Sequence, residues 1–369
     1  MKLVALKLLP ITLQLKRPFV SAHEVVQKRS LTLVAVQNEQ GLWGYGELDA
    51  FATPFYTADT QAIAQDILEN YLWPLVKEQS FQHPSELYAL LAAVRDHQPA
   101  KSALDMAIWD LYAKEQQQPL AQALAQSVAS SWRKEVAVGI SIGLQEPSAM
   151  LSAVQAAQKA GYQRIKLKVN GNQDLRRIQQ LQLQKLQTLV TVDANGSMQA
   201  DTNLAAQIDA LALGFIEDPF SVQEGIASQN LQQQLQTKIC FDEPIDSVNH
   251  AVMAVQLQQC RVISLKLATI GGLTPALQLV QAHRQYHFPL WCGGMLEGGI
   301  GRAANLALAS LTEFSYPADL SATDHYYYAD YTSALHLKNG QLQVPQGDGI
   351  GMQINPEYLK LLAQQPKVD

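Results

Sequence analysis

The chain has 369 residues, 47% of them hydrophobic, and a formal net charge of −6. That length exceeds one ordinary small domain and suits a barrel of about 250 residues with a companion domain, and the apolar share is that of a globular protein with a core. The acidic balance, without a basic stripe, argues against nucleic acid, and no apolar run approaches the roughly 18–20 residues that span a bilayer.

The segment Met1–Pro10 places a lysine before leucines in the manner of a leader, but Lys7 interrupts it and no small-residue cleavage site follows. It reads as a first strand, and the protein as cytoplasmic. Leu31–Gln37 is a second, β-branched strand, and Gln40–Glu47 is a turn followed by another, so a hairpin is expected. From Thr57 the pattern turns helical, and Ala100–Lys114 carries Leu104, Ile108 and Leu111 on one stripe. Strands followed by helices predict an α+β domain over residues 1–126.

A second region, residues 127–325, repeats helix and strand. It opens near Glu135 with a strand placing Val136, Val138, Ile140 and Ile142 on one face and Ala137, Gly139 and Ser141 on the other, an outer apolar face and a small inner one. The glutamine runs Gln116–Gln118 and Gln232–Gln234 read as solvated helix faces, and Cys240, Cys260 and Cys292 as small buried hydrophobes. The tail, 326–369, contains a hairpin-like stretch around Asn339-Gly340 and is expected to return to the N-terminal domain.

Five charged residues mark the middle of the chain at intervals of 24 or 25: Lys168, Asp193, Glu217, Asp242 and Lys266, each closing a short apolar run. That interval is one strand, one helix and two short loops, so the strands are parallel. In a closed (β/α) barrel the C-terminal strand ends share one mouth, where active sites lie. Two amines and three carboxylates therefore meet. Three carboxylates repel unless a cation lies between them, and oxygen-only ligands suit magnesium. In Ile165-Lys-Leu-Lys-Val, alternation sends Lys166 and Lys168 into the barrel. Glu217 is followed by Asp218 and Asp242 by Glu243; alternation admits only one of each pair to the interior, and spacing leaves open which. Lys266 shares the inner face with Val262 and Ser264. The run Trp291–Arg302 lacks the spacing of a dinucleotide fingerprint and reads as a loop at the mouth of a late strand, placing Gly294 and Met295 against a substrate.

These residues resemble the enolase superfamily, in its muconate-lactonizing subgroup, and within that the o-succinylbenzoate synthase/N-acylamino acid racemase branch. The features that carry the resemblance are Lys166-x-Lys168, Val192–Asn195, Glu217-Asp-Pro, Asp242-Glu, Lys266 with Gly271-Gly272, the Trp291–Ala303 run, Tyr316–Ser321 and Gly44–Leu48. The resemblance spans essentially the whole chain. It implies a modified (β/α)7β barrel of the TIM type, capped by an α+β domain made from the N-terminal region and the C-terminal tail. It implies Mg2+ on Asp193, Glu217 and Asp242, with Mn2+ able to substitute, and Lys168 and Lys266 as the catalytic lysines. Lys166 and Asn195 would assist substrate binding, with Ser141, Gly294 and Met295 beside them, and the loop Arg17–Ser21 would close over the substrate. The implied substrate is a small carboxylate and the implied assembly a homo-oligomer. The implied activities are o-succinylbenzoate synthase, a dehydratase, or N-acylamino acid racemase; dipeptide epimerase, muconate cycloisomerase and a non-catalytic ligand-binding relative are further alternatives. Dual-activity members typically carry arginine where this chain has Thr269, and often serine or threonine where it has Gly298. A guanidinium beside Lys266 would keep its amine ready to deprotonate; threonine cannot, so the dehydratase is the expected activity.

Overall fold

The computed structural model describes residues 1–20, 24–181, 186 and 188–368. Three long strands, β1 (Leu3–Val20), β2 (Val25–Asn38) and β3 (Trp43–Leu48), form an antiparallel sheet in that order. In β1, buried Ile11, Leu13 and Leu15 alternate with exposed Thr12, Gln14 and Lys16, the period-2 pattern of a half-covered sheet. The helix Gln98–Glu115 lies against β3. Contact is close because β3 carries glycines: a Cβ on Gly44 would sit 2.3 Å from the Ala107 carbonyl oxygen, and one on Gly46 2.2 Å from that of Ala103. Leu104, Ile108 and Leu111 are buried as the stripe predicts, but so are Lys101, Asp105 and Asp110. This helix is covered on two sides, by the sheet and by the barrel helix Leu273–Tyr286, to which Trp109 Nε1 donates at 2.9 Å through Thr274 Oγ1.

The barrel contains seven parallel strands in chain order: β5 (Gly139–Ile142), β6 (Arg164–Lys168), β7 (Leu189–Asp193), β8 (Ile216–Glu217), β9 (Ile239–Phe241), β10 (Val262–Leu265) and β11 (Leu290–Cys292). The space between β11 and β5 is filled by residues 314–319. Phe314 bridges Leu290 and Ala318 bridges Val138, both parallel, and the Asp319 N–H donates to the Cys292 carbonyl at 2.9 Å. Pro317 lacks a donor, which keeps this eighth stave from forming a regular ladder.

The strand expected to run continuously from Val136 to Ile142 is divided. β4 (Glu135–Ala137) pairs antiparallel with β12 (Gln341–Gln343) of the tail, and only β5 enters the barrel. Val138 is the joint: its N–H donates to Gly340 O at 2.9 Å and its carbonyl accepts from Gln163 N at 3.0 Å. Asn339 and Gly340 turn with φ of 53° and 72°, the left-handed pair that a two-residue hairpin turn needs. Only the second arm of that turn becomes a strand, and it pairs with β4. The rest of the tail reaches the N-terminal sheet, where Lys7 Nζ donates to Ala363 O at 2.7 Å and Val368 N to Leu6 O at 3.0 Å. Cys240, Cys260 and Cys292 are buried and unbridged. Among the described residues, no helix is long and apolar enough to cross a membrane.

Candidate active site

All five evenly spaced residues lie at the C-terminal ends of consecutive barrel strands: Lys168 ends β6, Asp193 ends β7, Glu217 ends β8, Asp242 follows β9 and Lys266 follows β10. β6 and β10 are four places apart in an eight-stave ring, so Lys168 and Lys266 face one another across it. Alternation in β6 buries Ile165 and Leu167 outward and turns both lysines inward. Gly293, just past β11, allows that stave close to Lys266, since a Cβ there would meet Lys266 Cε and Ser264 Oγ at 2.8 Å.

The acids are joined through amines. Lys166 Nζ is 3.2 Å from Asp193 Oδ2, 3.4 Å from Glu217 Oε1 and 3.0 Å from Asp319 Oδ2. Lys168 Nζ donates to Asp193 Oδ2 and to Asn195 Oδ1, both at 2.7 Å. Lys266 Nζ donates to Asp242 Oδ2 and to the Tyr56 hydroxyl. Among the described residues, no three acid, histidine or cysteine side chains stand as a ready-made metal cluster. The donor set nevertheless fits a hard cation. It consists of carboxylate oxygens, and Glu217 Oε2 and Asp242 Oδ1 are buried without a hydrogen-bond partner.

Electrostatics follow from this arrangement. Burial pushes the Lys166 amine down, but Asp319, Glu217 and Asp193 together carry it well above its usual value. Burial likewise opposes the charge on Lys266, and Asp242 and Glu217 overcome it, raising the amine. Asp193 is held below the usual carboxylate range by Lys168 and Lys166 against the effect of burial. Glu217 goes the other way: burial, then the neighbouring Asp193 charge, raise it despite Lys166.

The second acid of each pair is placed differently from the first. Asp218, at φ 39°, turns its carboxylate onto the backbone N–H groups of Asp242 (3.1 Å) and Glu243 (2.9 Å), and so shapes the end of β9. Glu243 accepts from Asn195 Nδ2 at 2.8 Å and borders the cavity. Asn195 is itself left-handed, at φ 43°; such a conformation outside glycine marks a position that the surroundings hold in place.

Above these groups lies a cavity. Ser141, Lys166, Lys168, Asn195, Gly294 and Met295 all line it, whereas Glu217 is fully buried outside the lining. Its apolar wall comes largely from Phe19, Phe51 and Phe55 of the N-terminal region and from Tyr326. Phe19 belongs to the segment expected to form a closing loop, but Arg17–Val20 continues strand β1, with Phe19 paired to Val26; Ser21 lies outside the described residues. Sequence reasoning missed the rest of the aromatic wall and three polar lining residues. Asp319 supplies a further carboxylate, Arg302 is buried and paired with Glu297 at 2.8 Å, and Tyr56 touches both Asp242 and Lys266. Asp319 and Arg302 sit inside runs quoted above for their resemblance, so the signal existed without a role attached; Tyr56 had none.

A barrel with acids on three successive strand ends, flanked by inward lysines and capped by a separate α+β layer, has the build of a capped-barrel enzyme. A model of the mandelate racemase/muconate lactonizing enzyme N-terminal domain matches residues 5–125, and one of the enolase C-terminal domain-like family matches residues 149–358. The chain belongs to the enolase superfamily. It is 35% identical to an o-succinylbenzoate synthase of Enterococcus faecalis, over 100% of both chains. It is also 35% identical to an N-succinylamino acid racemase of Thermus thermophilus, over 98% of this chain and 97% of that one. A solved structure of an enolase superfamily member from Enterococcus faecalis superimposes with a TM-score of 0.92 at 34% identity, covering 100% of both chains.

Proposed function

We propose that the chain is an o-succinylbenzoate synthase, a Mg2+-dependent dehydratase of menaquinone biosynthesis. The observation that carries this reading is the pair of lysines, Lys168 and Lys266, facing one another over three carboxylates beneath a cavity with an aromatic wall. Asp193, Glu217 and Asp242 would hold the ion, for which Mn2+ can substitute. Its charge lowers the cost of negative charge building on the substrate carboxylate. Lys168 removes the proton α to that carboxylate and then protonates the departing hydroxide, so that water leaves. Lys266, across the ring, stabilises the developing negative charge with its ammonium group. Lys166 and Asn195 orient the substrate, and Ser141, Gly294 and Met295 shape its pocket. The protein would act in the cytoplasm as a homo-oligomer.

N-Succinylamino acid racemase is the second reading, favoured by the facing lysines and by the racemase relative. Thr269 speaks against it. Its Oγ1 donates to the Lys266 backbone carbonyl at 3.1 Å, so the side chain is spent on the helix turn and puts no positive charge beside the amine. The test is turnover of the synthase substrate and of N-succinyl amino acids by the Mg2+-loaded protein. Dehydration with weak racemisation is expected; racemisation alone would reverse the choice.

A further inference from the structure

The Lys266 amine has two hydrogen-bond partners among the described residues, and one of them comes from outside the barrel. Tyr56 lies in the loop after β3. Its hydroxyl accepts from Lys266 Nζ and donates to Asp242 Oδ2 at 3.1 Å. The amine lies at the hydroxyl end of the ring, 4.5 Å from its centroid. The lysine thus meets the phenol through its oxygen, an attractive partner for an ammonium group.

The phenol is held in place. Tyr56 packs edge-on to Phe51 (6.2 Å) and Phe55 (6.4 Å), and those two rings meet at 4.6 Å. Phe51 in turn lies 4.1 Å from the Arg29 guanidinium, which donates to the Ala50 carbonyl at 2.8 Å and to that of Leu296 at 3.2 Å. Lysine has a flexible four-carbon stem and a rotating head. Aiming that head at one face of a substrate therefore needs fixed partners. Asp242 is one, but its oxygens are also wanted by the ion. Thr269 touches only the backbone of Lys266.

We propose that Tyr56 is the positioning residue for Lys266: the loop after β3 aims the amine at one face of the substrate α-carbon. This rests on the reading that Lys266 acts on the α-carbon side of a bound carboxylate. It follows that the proper seating of that loop sets the competence of one lysine of the pair and not of the other, because Lys168 donates its hydrogen bonds to Asp193 and Asn195 within the barrel.

The experiment compares the parent with Tyr56→Phe, which keeps the ring and loses the hydroxyl, and Tyr56→Leu, which loses both. Solvent-deuterium exchange at the α-carbon of each enantiomer of N-succinylphenylalanine is followed by NMR with Mg2+ present. Dehydration kcat and KM, Mg2+ affinity by calorimetry and the melting temperature are measured alongside. Tyr56→Phe is expected to slow exchange of the enantiomer facing Lys266 about tenfold and to leave the other within about twofold. Tyr56→Leu should slow the first further. Dehydration kcat should fall with KM nearly unchanged, at unaltered Mg2+ affinity and melting temperature. Equal slowing of both enantiomers, no slowing of either, or a loss that tracks weakened Mg2+ binding would each overturn the proposal while leaving the synthase reading intact. If the parent neither exchanges nor dehydrates, both fall together.

Discussion

Asp193 at the barrel mouth and Asp105 at the seam between the N-terminal helix and the barrel are both 1% exposed, yet they are held in opposite states. Burial disfavours the charge on each. Asp193 is surrounded by ammonium groups and stays below the usual carboxylate range. Asp105 meets only neutral donors, the Thr274 N–H at 2.8 Å and its hydroxyl at 2.7 Å, and is pushed up to about 7. Depth in the protein is therefore not what distinguishes a reactive acid from a structural one. The partners are. Asp193, between two lysine amines, keeps its charge, whereas Glu217, which shares one amine and faces the Asp193 charge, is raised. An acid docked on an amide and a hydroxyl is a joint, and serves best when neutral.

The largest expected effect breaks the charged region at its base. Lys168→Ala should lower dehydration kcat on the order of 10⁴-fold, since Lys166, the other inward amine of β6, is engaged by Asp193, Glu217 and Asp319. Lys266→Ala should cost about 3–4 kcal/mol of transition-state stabilisation, the loss typical of one charged or polar group aimed at developing charge. Steady-state kinetics on the synthase substrate measures both. A Lys168→Ala enzyme that retains parental turnover would remove the lysine from the mechanism.

Next come the acid pairs, which sharpen the contrast within a single strand end. Glu217→Gln should reduce turnover on the order of 10³-fold and weaken Mg2+ binding, and treatment with chelator should abolish activity until Mg2+ is returned. Asp218→Asn should cost about tenfold or less, because Asp218 holds backbone N–H groups and an amide oxygen can still accept one of them. Equal losses in turnover and in calorimetric Mg2+ affinity would make Asp218 a ligand in its own right.

Much of this site could be read from the chain because of its regularity. A constant interval of 24 or 25 residues returns the chain to the same strand end, so Lys168, Asp193, Glu217, Asp242 and Lys266 could be brought together with no knowledge of the helices between them. The hairpin of β2 and β3 was legible for the same kind of reason, alternation ended by a turn. What escaped is what has no period. Asp319 lies on the irregular stave beside Pro317, and Tyr56 reaches the site from a loop in another part of the chain. The division of the first barrel strand at Val138 depends on a tail segment some two hundred residues away. The burial of Asp105 depends on the helix Gln98–Glu115 being covered twice, whereas an apolar stripe announces one covered face only.

A smaller effect is expected at Asp319. Its carboxylate holds the Lys166 amine at 3.0 Å and its second oxygen is buried without a hydrogen-bond partner. Asp319→Asn should leave the amine less firmly placed and raise KM about tenfold, the lower end of the loss seen when the outer partner of a functional group is removed. Little change in kcat and an unchanged melting temperature would separate this from a fault in barrel closure. A fall in kcat with constant KM would place Asp319 with the reacting groups instead.

The smallest effect on turnover, essentially none, is expected at Asp105, where the change should appear in stability against pH. The Asp105 carboxyl has a folded value of about 7, above the roughly 3.9 of an unfolded chain. Between those values the folded state binds more protons than the unfolded state, so stability falls as pH rises. The contribution is complete below about pH 4, declines by up to about 1.4 kcal/mol per pH unit through the window, and is gone above about pH 7. Asp105→Asn replaces the carboxyl with a neutral amide that can still meet Thr274, and removes the titration. The variant should therefore melt close to the parent near pH 4.5 and progressively above it toward pH 7.5. A difference between the two that does not vary with pH would mean that Asp105 is charged in the seam. The contrast with Asp193 would then rest on geometry alone.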